Sequence, residues 1–337
     1  MHEKRVLNCL TNKKYKGTPV WFMRQAGRHL PEFKNIRDKN PNFISLCLNS
    51  KLSSEISIQP AQRYDLDGVI IFSDILLVNY AFGQSVVFKK SVGPILKDFK
   101  IDKFLEIEED KFIKKLDPVY KAINKVKNKI KKNQTLICFA GAPWTLLVYM
   151  LNKKSPAKNF NIDKMLKDEL LIDLILKKLD SFICLHLEKQ IQAGAEICQV
   201  FDSWAGIVPK NKLYNYCYIP NLKISNHLKA KKIPSIFFPK GLNYNYKTFV
   251  DIVRPNCISI DSNINPVWAR KSFNDLPIQG GFNPKNLLKS KSEITKEAIK
   301  YLKIFKNYNY IFNLGHGVLP STNPEKILHL IKTIRNF

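Results

Sequence analysis

Short apolar segments alternate with longer amphipathic segments along most of this chain. The tetrapeptides Val-Ile-Ile-Phe at 69–72 and Ser-Ile-Phe-Phe at 235–238 are almost continuously apolar, as strands buried on both faces of a parallel sheet are. Eight segments have this character and predict strands: Val20–Met23, Val69–Ser73, Leu136–Ala140, Ile197–Ser203, Ser235–Phe238, Cys257–Asp261, Pro277–Gly280 and Tyr310–Leu314. Amphipathic segments between them predict helices, among them Ser53–Tyr64, Pro118–Lys132, Asp163–Ala193 and Asn211–Ala230.

Three Asn-Pro pairs follow three of the predicted strands, at Asn265-Pro266, Asn283-Pro284 and Asn323-Pro324. Asn caps the first turn of a helix well, and Pro suits the first helical position because its missing N–H would be unpaired there anyway. Each pair therefore predicts a joint at which a strand gives way to a helix.

Eight strand–helix units without a linker or a change of composition favour one (β/α)8 TIM barrel over 1–337, rather than a doubly wound sheet. In such a barrel the active site lies at the C-terminal ends of the strands. The irregular stretch Ser85–Lys115 predicts a hairpin and an insertion over one mouth of the barrel.

Composition excludes disordered and fibrous proteins, because apolar residues make up 45% and charged residues 25% of the chain. The net charge of +27 raises the question of a polyanionic partner such as nucleic acid. Lysines in stretches such as Lys121–Lys132 have no interleaved aromatics and belong to no nucleic-acid motif. We therefore interpret them as a solvated face and expect no nucleic-acid partner, although such a charge also suits an anionic small molecule.

The seven cysteines are scattered and contain no CxxC pair, which predicts reduced thiols in a cytoplasmic protein. The apolar run Gly68–Phe82 contains Asp74 and is too short to span a bilayer, and no signal segment is recognisable. We expect no membrane association.

Two arginines, Arg24 and Arg28, follow the first predicted strand in the stretch Trp21–Phe33. If the chain turned helical after Met23, both side chains would project from one face. Guanidinium groups grip carboxylates or phosphates through paired charged hydrogen bonds, although such a pair can also be a solvated surface feature.

Other polar residues stand at predicted strand ends. Asp74 is either a helix N-cap or an acceptor for ligand N–H groups, because an unpaired buried carboxylate is costly. Tyr149 is either part of the core or part of a site. Ser203 lacks a GxSxG elbow and an evident base, which argues against a nucleophile. His316 lies between two glycines, which would leave the imidazole exposed and let a ligand approach the backbone.

These segments together resemble the uroporphyrinogen decarboxylase family of haem biosynthesis. Pro19–Arg28, followed by Leu30-Pro31-Glu32, is similar to the family's N-terminal signature, and Phe139–Thr145 is similar to its second signature. The resemblance runs from Pro19 to Lys326.

The resemblance implies a (β/α)8 barrel, usually a homodimer, that uses no metal or organic cofactor. It implies decarboxylation of the four acetate side chains of uroporphyrinogen III to methyls, which gives coproporphyrinogen III. Catalytic positions fall on Arg24, Arg28 and Asp74. The expected substrate-binding residues are Arg24, Gln25, Ala26, Gly27, Arg28, Phe33, Asp74, Tyr149, Phe201, Ser203 and His316.

Two stretches depart from the family pattern. Gln279–Pro284 reads QGGFNP where the family tends to have QGNLDP, and Asp261-Ser262 stands where Asp-Trp is common. The identity of the proton donor is left open, with Arg24 favoured by the resemblance alone.

Two other functions compete with this interpretation. One is a zinc-dependent methyltransferase of the same fold that acts on corrinoid-bound methyl groups, but its His-x-Cys ligand set is missing at Phe237–Lys240 and Gly315–Gly317. The other is a non-catalytic polyanion-binding protein, motivated by the net charge.

Overall fold

The computed structural model describes residues 3–11, 13–89, 92–157 and 160–337. Seven parallel strands form its main sheet in the order β1-β4-β5-β6-β7-β8-β9, and β2 pairs with β3 in an antiparallel hairpin. The strands are β1 (Gly68–Ile70), β2 (Val86–Lys89), β3 (Gly93–Leu96), β4 (Thr135–Gly141), β5 (Ile197–Asp202), β6 (Ser235–Pro239), β7 (Cys257–Ile260), β8 (Ile278–Gly280) and β9 (Tyr310–Ile311).

Four helices precede β1, and the others follow the strands. They are α1 (Arg5–Leu10), α2 (Pro31–Lys39), α3 (Phe43–Cys47), α4 (Ser50–Arg63), α5 (Leu77–Ala81), α6 (Ile101–Leu105), α7 (Glu109–Lys127), α8 (Pro143–Asn152), α9 (Ile162–Met165), α10 (Glu169–Gln192), α11 (Ile219–Ala230), α12 (Tyr246–Val253), α13 (Pro266–Ser272), α14 (Lys291–Ile304) and α15 (Pro324–Arg335). A π-helical turn (Tyr214–Tyr218) precedes α11, and short 3-10 turns follow β5, β6 and β8. No helix in the described ranges is long and apolar enough to cross a membrane.

The first predicted strand is the main difference from the expected eight. The segment 19–23 forms a single parallel bridge, between Val20 and Phe312, and Phe312 N–H donates to the carbonyl of Pro19 at 2.8 Å. On its other side, Asp67 N–H donates to the carbonyl of Val20 at 2.9 Å. Segment 19–23 thus lies between the two ends of a curled sheet, and seven strands rather than eight are paired in the part of the chain described.

The three Asn-Pro joints are confirmed. The side-chain oxygen of Asn265 accepts from two backbone N–H groups of α13, and that of Asn323 accepts from Glu325 N–H at the start of α15. Asn283 accepts from Lys285 N–H, but a 3-10 turn (Pro284–Leu288) follows it instead of an α-helix. These caps are short-range interactions, which explains why a sequence pattern predicts them.

The stretch from 85 to 115 contains more regular structure than its irregular pattern predicts. The expected hairpin is β2–β3, and the rest of the stretch forms α6 and the first turns of α7. Phe88 of β2 packs against Phe43, with ring centroids 4.5 Å apart, and Phe43 in turn packs edge-on against Phe72. The insertion is therefore connected through aromatic contacts to the residues that follow β1.

The inside of the curled sheet contains an apolar cluster that includes Trp21, Ile137 and Ile236. A buried polar network lies among these residues: Trp21 Nε1 donates to Gln279 Oε1 at 2.9 Å, and Gln279 Nε2 contacts Gln199 and Ser259. A larger apolar cluster fills the space between the sheet and the helices. All seven cysteines are buried and none is in a disulfide.

Candidate active site

Arg24 lies in a turn rather than a helix, so the condition under which Arg24 and Arg28 would project from one helical face is not met. Residues 24–30 are turns and bends, and α2 begins only at Pro31. Arg24 has φ of +62°, a left-handed conformation that side chains other than glycine rarely adopt. Two hydrogen bonds between Phe22 and Gln25 hold this turn. Gln25 N–H donates to the carbonyl of Phe22, and Phe22 N–H donates to Gln25 Oε1.

Gln25, Ala26 and Gly27 shape this turn. Gln25 is buried, and its amide nitrogen donates to the carbonyl of Gly68 at the start of β1. Gly27 is buried and Ala26 is half-buried. The Gln25 side chain therefore fastens the arginine turn to the sheet, with both of its polar atoms engaged by backbone.

Gly317 leaves the space through which the Arg24 side chain runs. A Cβ atom added at Gly317 would lie 2.9 Å from Arg24 Cβ, closer than real Cβ contacts allow, and 3.1 Å from Arg24 Nε, which is tighter than most such contacts. Val318 N–H donates to the carbonyl of Met23 at 2.9 Å, which joins the two segments. The loop after β9 therefore positions Arg24.

The two arginines make no ion pair with a carboxylate in the described part of the chain. Both side chains are exposed, and the arginine ion pairs in the described ranges are made by Arg5, Arg63 and Arg335. Desolvation by surrounding protein lowers the pKa of Arg24, with nearby Arg28 acting in the same direction and Asp74 opposing it. The pair is thus open toward an external anion.

Asp74 follows β1 and is half-buried. Its Oδ1 accepts from Leu76 N–H at 2.8 Å, but Leu76 and not Asp74 is the N-cap of α5, and no side chain caps that helix, so the helix-capping interpretation is wrong. Burial raises the pKa of Asp74 to about 6, against the opposing effects of that N–H and of Arg24. The carboxylate carries a negative charge at neutral pH in a site that desolvates it.

Tyr149, on α8, lies beside these charged groups. It is almost fully buried, its ring packs edge-on against Trp204, and its hydroxyl is 3.4 Å from Ser155 Oγ. Burial raises the pKa of Tyr149. The charge of Asp74 raises this pKa further, and the charge of Arg24 lowers it. Tyr149 is therefore both a packed residue and a neighbour of the site.

The residues after β5 have separate roles. Asp202 is buried and accepts from Thr145 Oγ1 at 2.7 Å and from Asn221 Nδ2 at 3.1 Å, so it connects helices α8 and α11 behind the sheet. Ser203 and Phe201 are half-buried. Phe201 packs edge-on against Phe139 and Phe238, which places three aromatic rings from adjacent strands β4, β5 and β6 together. Phe33 contacts Phe72, with centroids 5.6 Å apart.

His316 is half-buried, which corrects the expectation of an exposed imidazole. Its Nδ1 is buried and has no hydrogen-bond partner in the described structure. Burial, together with the charges of Lys240 and Arg24, lowers its pKa to about 4. The imidazole is neutral at physiological pH.

Lys240 is a site residue that the sequence reasoning did not select. It follows β6 directly and is half-buried, and burial and Arg24 lower its pKa while Asp261 raises it. The signal that pointed to Asp74 and His316, a polar residue at the end of an apolar strand, also applies to Lys240.

Arg24 is the common neighbour of these groups, because its charge affects the pKa values of Asp74, Tyr149, Lys240 and His316. Cations outnumber anions, and the surrounding rings are apolar, which suits a large ligand carrying several carboxylates. Among the described residues no three or more His, Cys, Asp or Glu side chains are grouped as metal ligands.

The family model described as uroporphyrinogen decarboxylase (URO-D) matches residues 1–337. The chain is 38% identical to the uroporphyrinogen decarboxylase of Rickettsia felis, with 98% of this chain and 96% of the relative aligned. It is also 38% identical to that of Rickettsia bellii, with 95% of each aligned.

Solved structures agree on the fold. A methyltransferase from Methanosarcina mazei superimposes with a TM-score of 0.82 at 13% identity, covering 100% of this chain and 99% of the other. A putative vitamin-B12-independent methionine synthase from Listeria monocytogenes gives a TM-score of 0.56 at 11% identity, covering 96% of each. At such identities these likenesses concern the fold alone.

Proposed function

The chain belongs to the uroporphyrinogen decarboxylase family, and from this premise we propose that the site above removes carbon dioxide from the acetate side chains of uroporphyrinogen III. The chain decarboxylates uroporphyrinogen in haem biosynthesis. Four such steps convert four acetates to methyls and give coproporphyrinogen III. The observation that carries the assignment to this site is Asp74, a desolvated carboxylate that interacts with Arg24, while Arg24 and its neighbour Arg28 make no ion pair in the described ranges.

The fold proposal is a single (β/α)8 barrel over 1–337, completed by segment 19–23. Support comes from the hydrogen bonds of this segment to Phe312 on one side and to Asp67 on the other. Closure would bring the C-terminal ends of all strands around one mouth.

The reaction needs an acceptor for the electron pair left by carbon dioxide. Protonation of a pyrrole carbon makes the ring a cation, and the pair from the breaking C–CO₂ bond then neutralises that ring. A proton added to the resulting exocyclic carbon makes the methyl group, and loss of the ring proton restores the pyrrole. Each acetate thus exchanges carbon dioxide for one proton overall.

Asp74 has the charge that this cationic intermediate requires. Pyrrole N–H groups of a domed tetrapyrrole can converge on one carboxylate, and the hydrogen bond from Leu76 N–H engages only Oδ1 of Asp74. Its negative charge stabilises the ring most when the ring is cationic, which lowers the barrier instead of only strengthening substrate binding.

Arg24 and Arg28 hold the reacting acetate or its neighbours through charged hydrogen bonds. Tyr149, Ser203 and the neutral His316 donate hydrogen bonds to other carboxylates, and Phe33 and Phe201 contact the macrocycle. The identity of the first proton donor is left open, and Arg24 is favoured for it by the family resemblance alone. A pKa of about 4 leaves His316 without a proton to give at neutral pH.

The decisive experiment is anaerobic incubation with uroporphyrinogen III, followed by oxidation and chromatography of the porphyrins. We expect a series from seven to four carboxylates. If wild-type protein yields no such series, the decarboxylase assignment fails.

Other expectations have separate tests. A homodimer is tested by size-exclusion chromatography with light scattering, and a cytoplasmic location by cell fractionation. Cofactor independence is tested by metal analysis, in which stoichiometric zinc would favour the methyltransferase alternative instead. Tight binding to nucleic acid at physiological salt would support a polyanion-binding protein.

A further inference from the structure

We propose that Lys240 is an additional substrate-binding residue, whose ammonium group binds a carboxylate on the side of the tetrapyrrole away from Arg24 and Arg28. This inference rests on the proposed function. If so, the residue after strand β6 contributes to specificity for a substrate that carries carboxylates around its whole rim.

The backbone at Lys240 is held from three directions. Lys240 N–H donates to the carbonyl of Asp202 at 3.1 Å, and its own carbonyl accepts from Gly206 N–H at 3.0 Å. The next residue, Gly241, donates its N–H to Asp261 Oδ2 at 2.8 Å. The loops after β5, β6 and β7 therefore lock the position from which the lysine side chain leaves the sheet.

Two glycines make this arrangement possible. Gly241 has φ of +86°, which favours glycine, and a Cβ at Gly206 would lie 2.7 Å from the carbonyl oxygen of Gly241. Side chains at either position would separate the two loops. Such tight backbone packing pre-organises the lysine, which reduces the entropy lost when it binds a ligand.

Lys240 makes no ion pair with any residue that the structure describes. The lysine ion pairs in the described ranges are made by Lys4, Lys111, Lys121, Lys153, Lys212, Lys223, Lys231 and Lys247. Asp261 is near, but its oxygens accept from Gly241 N–H, Tyr246 Oη and Asn263 N–H. A half-buried ammonium without a partner is costly, and a ligand carboxylate would supply that partner.

The topology places Lys240 opposite the arginines. Strand β6 is the fourth of seven strands in the sheet, whereas Arg24 follows the segment that lies between β9 and β1. Lys240, Arg24 and His316 nevertheless affect one another electrostatically, so all three face the same space. A macrocycle between them would meet cations on two sides, with Asp74 toward its N–H groups.

The test is steady-state kinetics with anaerobic uroporphyrinogen III on Lys240→Met. Because a charged hydrogen bond is lost equally from substrate and transition state, we expect KM to rise by about tenfold or more with kcat within about twofold. Lys240→Arg, which keeps the charge, restores most of the affinity. Lys271→Met, at an exposed lysine of α13, serves as the matched control and leaves KM unchanged.

A second measurement does not depend on turnover. Equilibrium dialysis of uroporphyrinogen against Asp74→Asn and against Asp74→Asn/Lys240→Met measures binding in proteins that are impaired in catalysis, and we expect about tenfold weaker binding in the double variant. Equal binding overturns the role of Lys240, even if wild-type turnover confirms the decarboxylase. A fall in kcat at constant KM also overturns it. If Lys240→Met does not fold, the same pair of measurements on Lys240→Gln decides.

Discussion

Strand β1 is flanked by two carboxylates in opposite situations. Asp67, just before the strand, accepts from Val20 N–H at 2.7 Å, from Arg335 at 2.8 Å and from Arg5 at 3.3 Å. Asp74, a few residues after it, accepts from Leu76 N–H and has Arg24 near it without an ion pair. The same chemical groups are internally satisfied at one end of the sheet and left available at the other.

This difference separates stability from function. At the N-terminal end of the strands, Glu196 follows the same rule as Asp67, since it accepts from Lys4 at 2.6 Å and from Leu136 N–H. At the C-terminal end, Arg24, Arg28 and Lys240 have no acidic partner within the described protein. Charged side chains that have no ion-pair partner at the C-terminal ends of the strands are available to bind a ligand.

Asp74→Asn should have the largest effect on the reaction. Removal of the charge that stabilises the cationic ring is expected to lower kcat by about 10²–10³. Burial raises the folded pKa of Asp74 above its unfolded value, so ionised Asp74 opposes folding above pH 6, and the variant should not lose thermal stability. Porphyrin chromatography and thermal unfolding measure the two effects. Unchanged turnover would remove Asp74 from its central role.

Arg335→Met should have the reverse profile. It removes a cation from buried Asp67 and should lower the free energy of unfolding by about 3 kcal/mol at pH 7, with the activity of folded protein retained. Burial already raises the folded pKa of Asp67, and Arg335 opposes that shift. The loss should therefore shrink as the pH falls and Asp67 becomes protonated.

The control for Arg335→Met is Arg63→Met, which breaks an exposed pair with Glu32 and should cost less than about 1 kcal/mol. Urea unfolding at pH 7 and pH 5 measures both variants. Equal losses for the two arginines would contradict the contrast between the ends of β1.

Gly317→Ala tests the positioning of Arg24. The new methyl group would overlap Arg24, so we expect kcat/KM to fall by about 10–100-fold. Arg24→Gly removes the clashing side chain and suits the left-handed backbone at this position. In that background Gly317→Ala should change kcat/KM little further. Additive effects of the two substitutions would show that Gly317 affects the reaction by a route other than the position of Arg24.

The pH profile gives the smallest effect. With the pKa of Asp74 at about 6, kcat/KM should be about tenfold lower at pH 5 than at pH 7, because the protonated carboxyl no longer carries the charge. Arg24 lowers the pKa of Asp74, so Arg24→Gln should move the acidic limb to higher pH. If the acidic limb of the pH profile does not move in Arg24→Gln, Arg24 does not affect the pKa of Asp74.

Local patterns predicted most of the elements but not all of their boundaries. Strands β4 to β8 and the Asn caps of α13 and α15 lie where apolar runs and Asn-Pro pairs indicate them, because these signals depend on residues a few positions apart. The extent to which segment 19–23 pairs was not predictable from local pattern, because its partners, Asp67 and Phe312, lie far away in the chain. The left-handed turn at Arg24 was not predictable from the spacing of the two arginines either.

By itself, the sequence determined the alternation of strands and helices, the family, and the polar residues at strand ends. Each of these can be recognised from residues that are close together in the chain. Tertiary structure alone decided the left-handed turn of Arg24 over Gly317, the burial that lowers the pKa of His316 to about 4, and the electrostatic effect of Lys240 on His316. Desolvation and charge coupling depend on distances between residues hundreds of positions apart, and only the packed sheet sets those distances.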